Sequence, residues 1–339
     1  MDIDKLRDWF FESRRLLPWR ENPSPYEVWV SEVMLQQTQV SVVVPYFKRW
    51  MTLFPTIKSL AEAPMDKVIK VWEGLGYYSR ARNLHEGARY LVENHGGEIP
   101  SSYKELERIK GLGPYTIGAI LSFAFKKKAA AVDGNILRVF ARYDGVMASI
   151  DQSKVQKKIR ERCEALLPEK EPWIVMEGLI ELGALVCQKK AQCSLCPISK
   201  NCAAYKTCKA DILPIRKKKE KVTHLHRSVA VVHDRKSLLL RKGERGKVMA
   251  DLSEFPYFDR GVSVEKALGI PLKSIGPLPE VSHGFTKYKA FLYPHLYEAS
   301  QIEIKGYEWI PFNKLSSIPF SSGHRRILLL LKNNHIIPI

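Results

Sequence analysis

Two different hydrophobic patterns divide this chain. In its first part, apolar residues recur at helical spacing over residues 4–17, 28–47 and 150–186. Glycines and prolines between residues 55 and 113 predict shorter helices joined by turns. Beyond residue 227 the apolar residues alternate with polar ones or form short runs, which is typical of strands. The pattern therefore predicts a helical region followed by an α+β region.

The predicted strands of the second region are residues 228–233, 237–241, 289–297 and 306–310, and helices at 264–268 and 323–333 would pack on the sheet. Residues 215–221 are nearly all charged, a pattern typical of a solvated linker. We therefore predict a helical region of residues 1–208, a basic linker of residues 209–226 and an α+β domain of residues 227–339.

Length and charge narrow the class of protein. A chain of 339 residues with 45% hydrophobic residues is expected to be globular and to form more than one domain. Its net charge of +18 favours a polyanionic partner such as nucleic acid, and a generically basic soluble protein is the alternative. The amino terminus lacks the basic start and apolar stretch of a signal peptide, and residues 327–331 form too short an apolar run to cross a bilayer. We expect a cytoplasmic, nucleoid-associated protein without membrane contact.

Four cysteines lie close together as Cys187-x5-Cys193-x2-Cys196-x5-Cys202. A [4Fe–4S] cluster takes four thiolates from such a short loop. A structural zinc site usually pairs two C-x2-C knuckles, and this loop has one. Disulfides are typical of small secreted chains. The spacing favours an iron–sulfur cluster, and zinc or unligated cysteines remain the alternatives.

Two further motifs lie upstream of these cysteines. Residues 109–116, Ile-Lys-Gly-Leu-Gly-Pro-Tyr-Thr, separate two predicted helices. Gly111 and Gly113 permit a tight hairpin, whose free N–H groups can bind a phosphate without reading a base. Asp133, in Val-Asp-Gly-Asn, stands where a loop enters a helix, and such an Asp is ordinarily just an N-cap. The order of hairpin, Asp and four-cysteine loop is much more specific than any one of them.

Together these motifs resemble the endonuclease III superfamily of base-excision glycosylases, and within it the adenine DNA glycosylase (MutY) family. The supporting segments are residues 17–20, 29–38, 74–84 and 181–187. The resemblance implies an all-α helix-hairpin-helix glycosylase core with a [4Fe–4S] loop, followed by an α+β Nudix-like domain. Within the core it implies a hairpin-containing part at about residues 20–130 and an Fe–S part formed by residues 1–19 and 131–208.

The implied activity is hydrolytic removal of adenine that is mispaired with 8-oxoguanine or guanine in double-stranded DNA. Glycosidic cleavage through an oxocarbenium-like transition state divides its work between two carboxyl groups. Glu32, in an apolar helix, would be the general acid, and Asp133 would stay ionised beside the sugar. By resemblance Asn135 orients the water and the acid, and Tyr115 lies against the sugar. Lyase relatives carry a Schiff-base Lys where this chain has Tyr115, so we expect a monofunctional enzyme.

The resemblance also assigns residues that contact DNA or the substrate: Arg20, Leu35, Gln37, Tyr77, Gly111, Gly113, Phe285 and Thr286. Arg20 would line the adenine pocket, whereas Leu35, Gln37 and Tyr77 would wedge into the duplex near the partner base. In the second domain Phe285 would intercalate and Thr286 would bind the lesion base.

This chain departs from the family pattern in its second domain, where Ser253 replaces a Trp and Thr286 a Ser, and in its cysteine loop. In the lesion-sensing loop, Lys287 stands where the family has a second His. In the cysteine loop the first spacing is one residue shorter than usual, which makes Cys208 an alternative to Cys187 as a ligand of the cluster.

Two other functions compete with this one. The first is an endonuclease III-like pyrimidine glycosylase/lyase, which Tyr115 and the additional α+β domain disfavour. The second is a non-enzymatic Fe–S protein that binds DNA, for which the pair of Glu32 and Asp133 would have to be incidental. For the adenine glycosylase we expect a monomer bound to double-stranded DNA that contains A·8-oxoguanine or A·G mispairs.

Overall fold

The structure, a computed structural model, describes residues 1–218, 221–244, 246 and 248–337. Lys219 and Glu220, which fall in the predicted linker, lie outside the described residues. The chain packs as two compact units. One contains Met1–Ala63 and Asn83–Lys218, and the other contains Pro64–Arg82 with the described residues of Lys219–Ile339.

The part of the chain before the sheet is built from short helices. They are α1 (Ile3–Ser13), α2 (Pro25–Leu35), α3 (Val40–Leu53), α4 (Ile57–Ala61), α5 (Met65–Trp72), α6 (Ser79–His95), α7 (Tyr103–Leu106), α8 (Pro114–Ala119), α9 (Gly134–Tyr143), α10 (Ser153–Leu166), α11 (Pro172–Leu185) and α12 (Ala203–Lys206). A π-helical segment, Ile120–Ala124, directly follows α8. The N-terminus of α2 shows how local sequence sets these bounds, because Ser24 and Glu27 form a capping box around Pro25.

The prediction of helix-like periodicity through residues 28–47 is wrong in one respect. The helix ends at Leu35 and a second one starts at Val40. Between them Gln37 has φ 57°, a left-handed conformation that a right-handed helix cannot contain. The break is not visible in the sequence because glutamine is not a helix-breaking residue. The predicted helical stretch at residues 150–186 likewise divides into α10 and α11.

Helix α11 lies at the centre of the first unit, where it packs against both α1 and α9. Two glycines permit this approach. A Cβ added at Gly183 would lie 2.6 Å from the Cβ of Asn135, at the start of α9. A Cβ added at Gly178 would lie at an ordinary 3.4 Å from the Cβ of Phe10 in α1. The contact between α9 and α11 therefore depends on the missing side chain at Gly183.

The second unit is organised around a mixed sheet. Its strands are β1 (Thr223–His233), β2 (Ser237–Lys242), β3 (Ser253–Glu254), β4 (Tyr257–Asp259), β5 (Lys273–Pro277), β6 (Val281–Phe285), β7 (Tyr288–Glu298) and β8 (Glu308–Pro311). The order is β3-β2-β1-β7-β5, with β4 paired to β1, β6 to β7 and β8 to β2. Strands β1 and β7 run parallel, from Thr223 opposite Tyr288 to His233 opposite Glu298.

Each face of the sheet carries its own core. On one face, Val229, Val231 and Leu292 pack with residues of α14 (Ser322–Asn333). On the other, Ala230, Val232 and Leu239 pack with Leu268 of α13 (Val264–Leu268). A helical region followed by a mixed-sheet region is thus confirmed, although β1 begins within the stretch of residues 209–226 that was predicted as linker. In the described part of the chain, no helix is both long and apolar enough to cross a membrane.

Candidate active site

Glu32 is a buried carboxyl group in the mostly apolar helix α2, with 6% of its surface exposed. The hydroxyl of Tyr115, in the first turn of α8, donates a hydrogen bond of 2.5 Å to Glu32 Oε2. Burial raises the pKa of Glu32 to about 7, and the hydrogen bond from Tyr115 acts in the opposite direction. Burial also raises the pKa of Tyr115 well above its ordinary value. Near neutral pH, Glu32 can therefore hold a proton and release it.

Asp133 is the second carboxyl group of the site and also caps α9. Its Oδ1 accepts a hydrogen bond of 2.8 Å from the backbone N–H of Ile136, and its Oδ2 accepts one of 2.7 Å from Asn135 Nδ2. Burial raises the pKa of Asp133, whereas both of these hydrogen bonds act to lower it. The Asp133 side chain therefore both caps α9 and belongs to the site.

Arg138 fixes the orientation of Asn135. Its Nη2 donates to Asn135 Oδ1 at 2.7 Å, which leaves the Asn135 amide nitrogen facing Asp133. The same guanidinium donates to the backbone carbonyls of Gly183 and Cys187, each at 2.7 Å. The carboxylate end of the site is thereby attached to the first cysteine of the loop.

These groups line one cavity of about 530 Å³, a size typical of small-molecule sites. It brings together most of the residues that the sequence predicts for the helical region: Arg20, Glu32, Leu35, Gln37, Tyr115, Asp133 and Asn135. Leu35 and Gln37 reach it from the turn that ends α2.

Sequence reasoning missed three charged residues near this cavity. Arg15 Nε and Nη2 donate to the two carboxylate oxygens of Glu181 at 2.6 and 2.9 Å, and Arg20 Nη2 donates to Glu181 Oε2 at 2.7 Å. Burial alone would raise the pKa of Glu181, but the two arginines lower it to about 2. Glu177, whose pKa burial raises, lines the cavity and lies 3.9 Å from Arg20 Nε. The sequence signal that could have identified Glu177 and Glu181 is the same one that indicates Glu32, namely a glutamate in an apolar helix.

The four predicted cysteine ligands line a single pocket beside α9 and α11. Their thiols are free, and Arg142 Nη1 lies 3.3 Å from Cys187 Sγ. Burial raises the pKa of Cys196 to about 11, so its thiolate form requires a cationic group. Cys208 is exposed and is not among the residues lining this pocket. Within the described residues, no group of three or more His, Cys, Asp or Glu side chains is arranged to hold one metal ion. The four thiols therefore line one pocket, but they are not arranged as a set of ligands around a single ion.

The predicted hairpin lies between α7 and α8. Gly111 has φ 87°, and a Cβ there would lie 2.6 Å from the Cβ of Asn83, so both its conformation and its packing require glycine. Gly113 is the N-cap of α8, and a Cβ there would meet no atom within 4 Å.

The remaining predicted residues lie in the second unit, where Tyr77, Phe285 and Thr286 line a cavity of about 670 Å³. Phe285 ends β6, and Thr286 occupies the two-residue turn to β7 with φ 48°. Tyr77 also has φ 48°, and 46% of its surface is exposed. Lys289 and Arg326 add positive charge to the lining. Residues far apart in sequence are therefore brought together here.

Comparisons with known proteins identify the family of this chain. Residues 30–165 match the sequence profile of the HhH-GPD superfamily base excision DNA repair protein. The chain is 31% identical over 338 residues to the adenine DNA glycosylase of Buchnera aphidicola subsp. Baizongia pistaciae, which covers 98% of this chain and 92% of that relative. It is 41% identical over 210 residues to the adenine DNA glycosylase of Mus musculus, which covers 59% of this chain and 41% of that relative.

Solved structures share the fold of the helical region. A thermostable thymine-DNA glycosylase aligns with a TM-score of 0.56 and 28% identity, over 61% of this chain and 95% of its own. A trapped endonuclease III–DNA covalent intermediate aligns with a TM-score of 0.53 and 24% identity, over 61% of this chain and 94% of its own.

Proposed function

This chain belongs to the adenine DNA glycosylase family, and from that premise we propose that it hydrolyses the N-glycosidic bond of adenine mispaired with 8-oxoguanine or guanine in DNA. The membership that the sequence motifs predict is confirmed. The observation that carries the proposal is the pair of carboxyl groups, buried Glu32 and partly buried Asp133, that line one cavity.

The two carboxyl groups take different parts of the reaction. Glu32, with a pKa near 7, donates a proton to the adenine ring, because the protonated base can take the bonding electron pair and leave as a neutral molecule rather than as an anion. As the glycosidic bond breaks, positive charge develops on the sugar, and the carboxylate of Asp133 stabilises it. Asn135, held by Arg138, keeps Asp133 in place and offers its amide to the attacking water.

Tyr115 supports hydrolysis rather than lyase chemistry. A phenol has no amine with which to form a Schiff base on the sugar, so water completes the reaction and the DNA strand stays intact. Instead, the Tyr115 hydroxyl is committed to Glu32 by their 2.5 Å hydrogen bond. The proposed enzyme is therefore monofunctional.

The cavity lined by Glu32 and Asp133 would receive an adenine that has been flipped out of the duplex. Arg20 and Glu177 supply polar groups at its wall, and Leu35 and Gln37 would lie near the partner base that remains in the helix. We assign the hairpin at Gly111 and Gly113 to the DNA backbone. A net charge of +18 supports binding to the phosphates, with affinity that falls as salt rises.

The mixed-sheet domain is proposed to be Nudix-like and to inspect the base opposite adenine. Phe285 would intercalate and Thr286 would donate or accept a hydrogen bond, with Tyr77 in the same cavity. Both Tyr77 and Thr286 hold left-handed backbone conformations, a kind of local strain that is concentrated at functional sites.

We further propose that Cys187, Cys193, Cys196 and Cys202 hold a [4Fe–4S] cluster. The support is a donor set of four free thiols that line one pocket. Base hydrolysis requires no electron, so the cluster would have a structural role. When bound, it would cross-link the loop. The carbonyl of Cys187 accepts from Arg138, so an ordered loop also helps to hold Asn135.

The catalytic assignment is tested with Glu32→Gln and Asp133→Asn. Each variant should lower the single-turnover rate of adenine release from an A·8-oxoguanine duplex by about 10³-fold or more, because it removes one of two required carboxyl groups. Binding to the same duplex should be retained. The matched control is Glu93→Gln, an exposed carboxyl group of the same unit, which should cleave normally.

A near wild-type rate in either variant would refute the catalytic assignment. Analysis of the product with and without alkali distinguishes the competing functions. Strand breaks formed without alkali would indicate a lyase, and duplex binding without any release of base would indicate a non-enzymatic protein.

The cofactor assignment is tested by metal content. The purified protein should contain about four irons per chain and absorb visible light. Cys187→Ala should lose this iron, whereas the matched variant Cys208→Ala should keep it, because Cys208 does not line the pocket. Stoichiometric zinc without iron would contradict the assignment, and iron loss only in Cys208→Ala would mean that Cys208 replaces Cys187.

A further inference from the structure

The segment Pro64–Arg82 precedes the sheet in sequence but packs with it in one unit. Two ion pairs hold its ends. Near the start, Lys242 Nζ donates to Asp66 Oδ1 at 2.7 Å. At the end, Arg82 Nη1 donates to the carbonyl of Ala250 at 3.1 Å and lies 3.4 Å from Asp251 Oδ2. The sheet domain therefore contacts both ends of this segment, which contains Tyr77.

A stronger anchor lies in the middle of this segment, at Glu73. Arg325 of α14 donates from Nε to Glu73 Oε1 at 2.7 Å and from Nη2 to Glu73 Oε2 at 3.0 Å. The backbone N–H of Phe320 donates to Oε1 at 3.0 Å, and Lys70 Nζ donates to Oε2 at 2.8 Å. Only 15% of the Glu73 side chain and 21% of the Arg325 side chain are exposed. A bidentate, half-buried pair of this kind fixes geometry as well as distance.

The turn that carries Tyr77 follows Glu73 directly and is itself held rigidly. Arg80 Nη2 and Trp72 Nε1 each donate to the carbonyl of Gly76 at 3.0 Å. The Arg80 guanidinium also lies over the rings of Trp72 and Tyr77, at 5.1 and 5.7 Å from their centroids. With so little internal freedom, the position of Tyr77 follows the position of Glu73.

Helix α14 connects this anchor to the cavity that Tyr77 shares with Phe285 and Thr286. Ser322 and Arg326 of the helix line that cavity, and Arg325 beside them binds Glu73. Neither Glu73 nor Arg325 is among the described residues that line the cavity. Both would therefore act through other side chains rather than on the DNA itself.

We propose that the Glu73–Arg325 pair is a positioning element that sets Tyr77 relative to Phe285 and Thr286, so that selectivity for the base opposite adenine depends on this ion pair. The inference rests on the proposed function and deepens its recognition step. Selectivity then depends on the position of the turn at Tyr77 relative to the β6–β7 turn, rather than on the β6–β7 turn alone.

The test is a double-mutant cycle in the full-length protein with Glu73→Gln, Arg325→Met and both together. Single-turnover rates are measured on A·8-oxoguanine and A·G duplexes at saturating enzyme. Each single variant should lower the ratio of the two rates about tenfold, with the A·G rate unchanged. The double variant should lower it no further, because both changes break the same interaction.

Two further variants control for stability. Arg227→Met breaks the ion pair with Asp259 elsewhere in the same unit and should leave the ratio intact. Arg325→Lys keeps the charge but loses the bidentate geometry, so an intermediate ratio is expected, and it carries the test if Arg325→Met does not fold.

Retained selectivity in Glu73→Gln and in either Arg325 variant would overturn the proposal, as would an equal loss in Arg227→Met. Absence of adenine release by the unmutated protein would instead refute the proposed function.

Discussion

Glu32 acquires its chemistry from its surroundings. A carboxyl group ordinarily ionises well below neutral pH, but burial in α2 raises the pKa of this one to about 7. Tyr115 opposes that shift, since its hydroxyl donates to the carboxylate and favours the ionised form. The balance between burial and one hydrogen bond therefore sets the pH range in which Glu32 can act as an acid.

Removal of that hydrogen bond gives a prediction with a definite sign. In the unmutated protein kcat/KM should fall as pH rises through about 7, because the protonated form of Glu32 is the active one. Tyr115→Phe removes a contact that lowers the pKa of Glu32, so the alkaline limb should move to higher pH. The measurement is the pH profile of kcat/KM, with Tyr103→Phe, an exposed tyrosine, as the control. An unchanged limb, or one that moves to lower pH, would argue against Glu32 as the acid.

At the scale of elements, the contact between α9 and α11 connects the site to the core. Helix α9 starts with Asp133 and Asn135, whereas α11 carries Glu177 and Glu181 and leads into the cysteine loop. Their separation is limited by Gly183, whose added Cβ would lie only 2.6 Å from that of Asn135. Small changes in this packing therefore act directly on the site.

Gly183→Ala is expected to reduce activity by about 10- to 100-fold, because it displaces Asn135 from Asp133. Gly178→Ala provides a matched control in the same helix, since its Cβ would meet Phe10 at 3.4 Å. The control should be neutral or stabilising, as alanine is the better helix former. Single-turnover rates and urea unfolding of both variants test this. Equal rates in the two variants would show that Asn135 tolerates the displacement.

At the scale of the whole molecule, catalysis and lesion recognition are assigned to different units. The first unit contains Glu32, Asp133 and the cysteine loop, and the second contains Phe285, Thr286 and the segment with Tyr77. The unit boundaries do not follow chain order, because Pro64–Arg82 lies within the helical part of the sequence. The predicted domain ranges, with a hairpin part at about residues 20–130, remain a proposal.

A protein that ends near Pro214 should still release adenine, because it retains both carboxyl groups and the cysteines. It lacks Phe285 and Thr286, so a preference of roughly 30- to 1000-fold for 8-oxoguanine over guanine should collapse toward unity. It also lacks the partners of Glu73, which should add to the loss. Rates on both duplexes test this, with iron content and circular dichroism as controls for folding and full-length Thr286→Ala as the partial change. If the shortened protein discriminates as well as the full chain, recognition lies in the helical unit.

Features that depend on neighbouring residues could be predicted from the sequence. Apolar periodicity distinguished the helical region from the sheet, and the motifs around Glu32, Asp133 and the cysteine loop identified the family. These signals are local because each pattern spans only a few neighbouring residues, whether it is a helix or strand period, a cap or a ligand loop.

Features that depend on residues far apart in the chain became visible only in the folded protein. The break at Gln37, the convergence of Arg15 and Arg20 on Glu181, and the packing of Pro64–Arg82 with the sheet were not predicted. The pKa of Glu32, near 7, also depends on contacts between residues that are far apart in the chain. Burial and the Tyr115 hydroxyl set it, and both arise from elements that meet only when the chain folds.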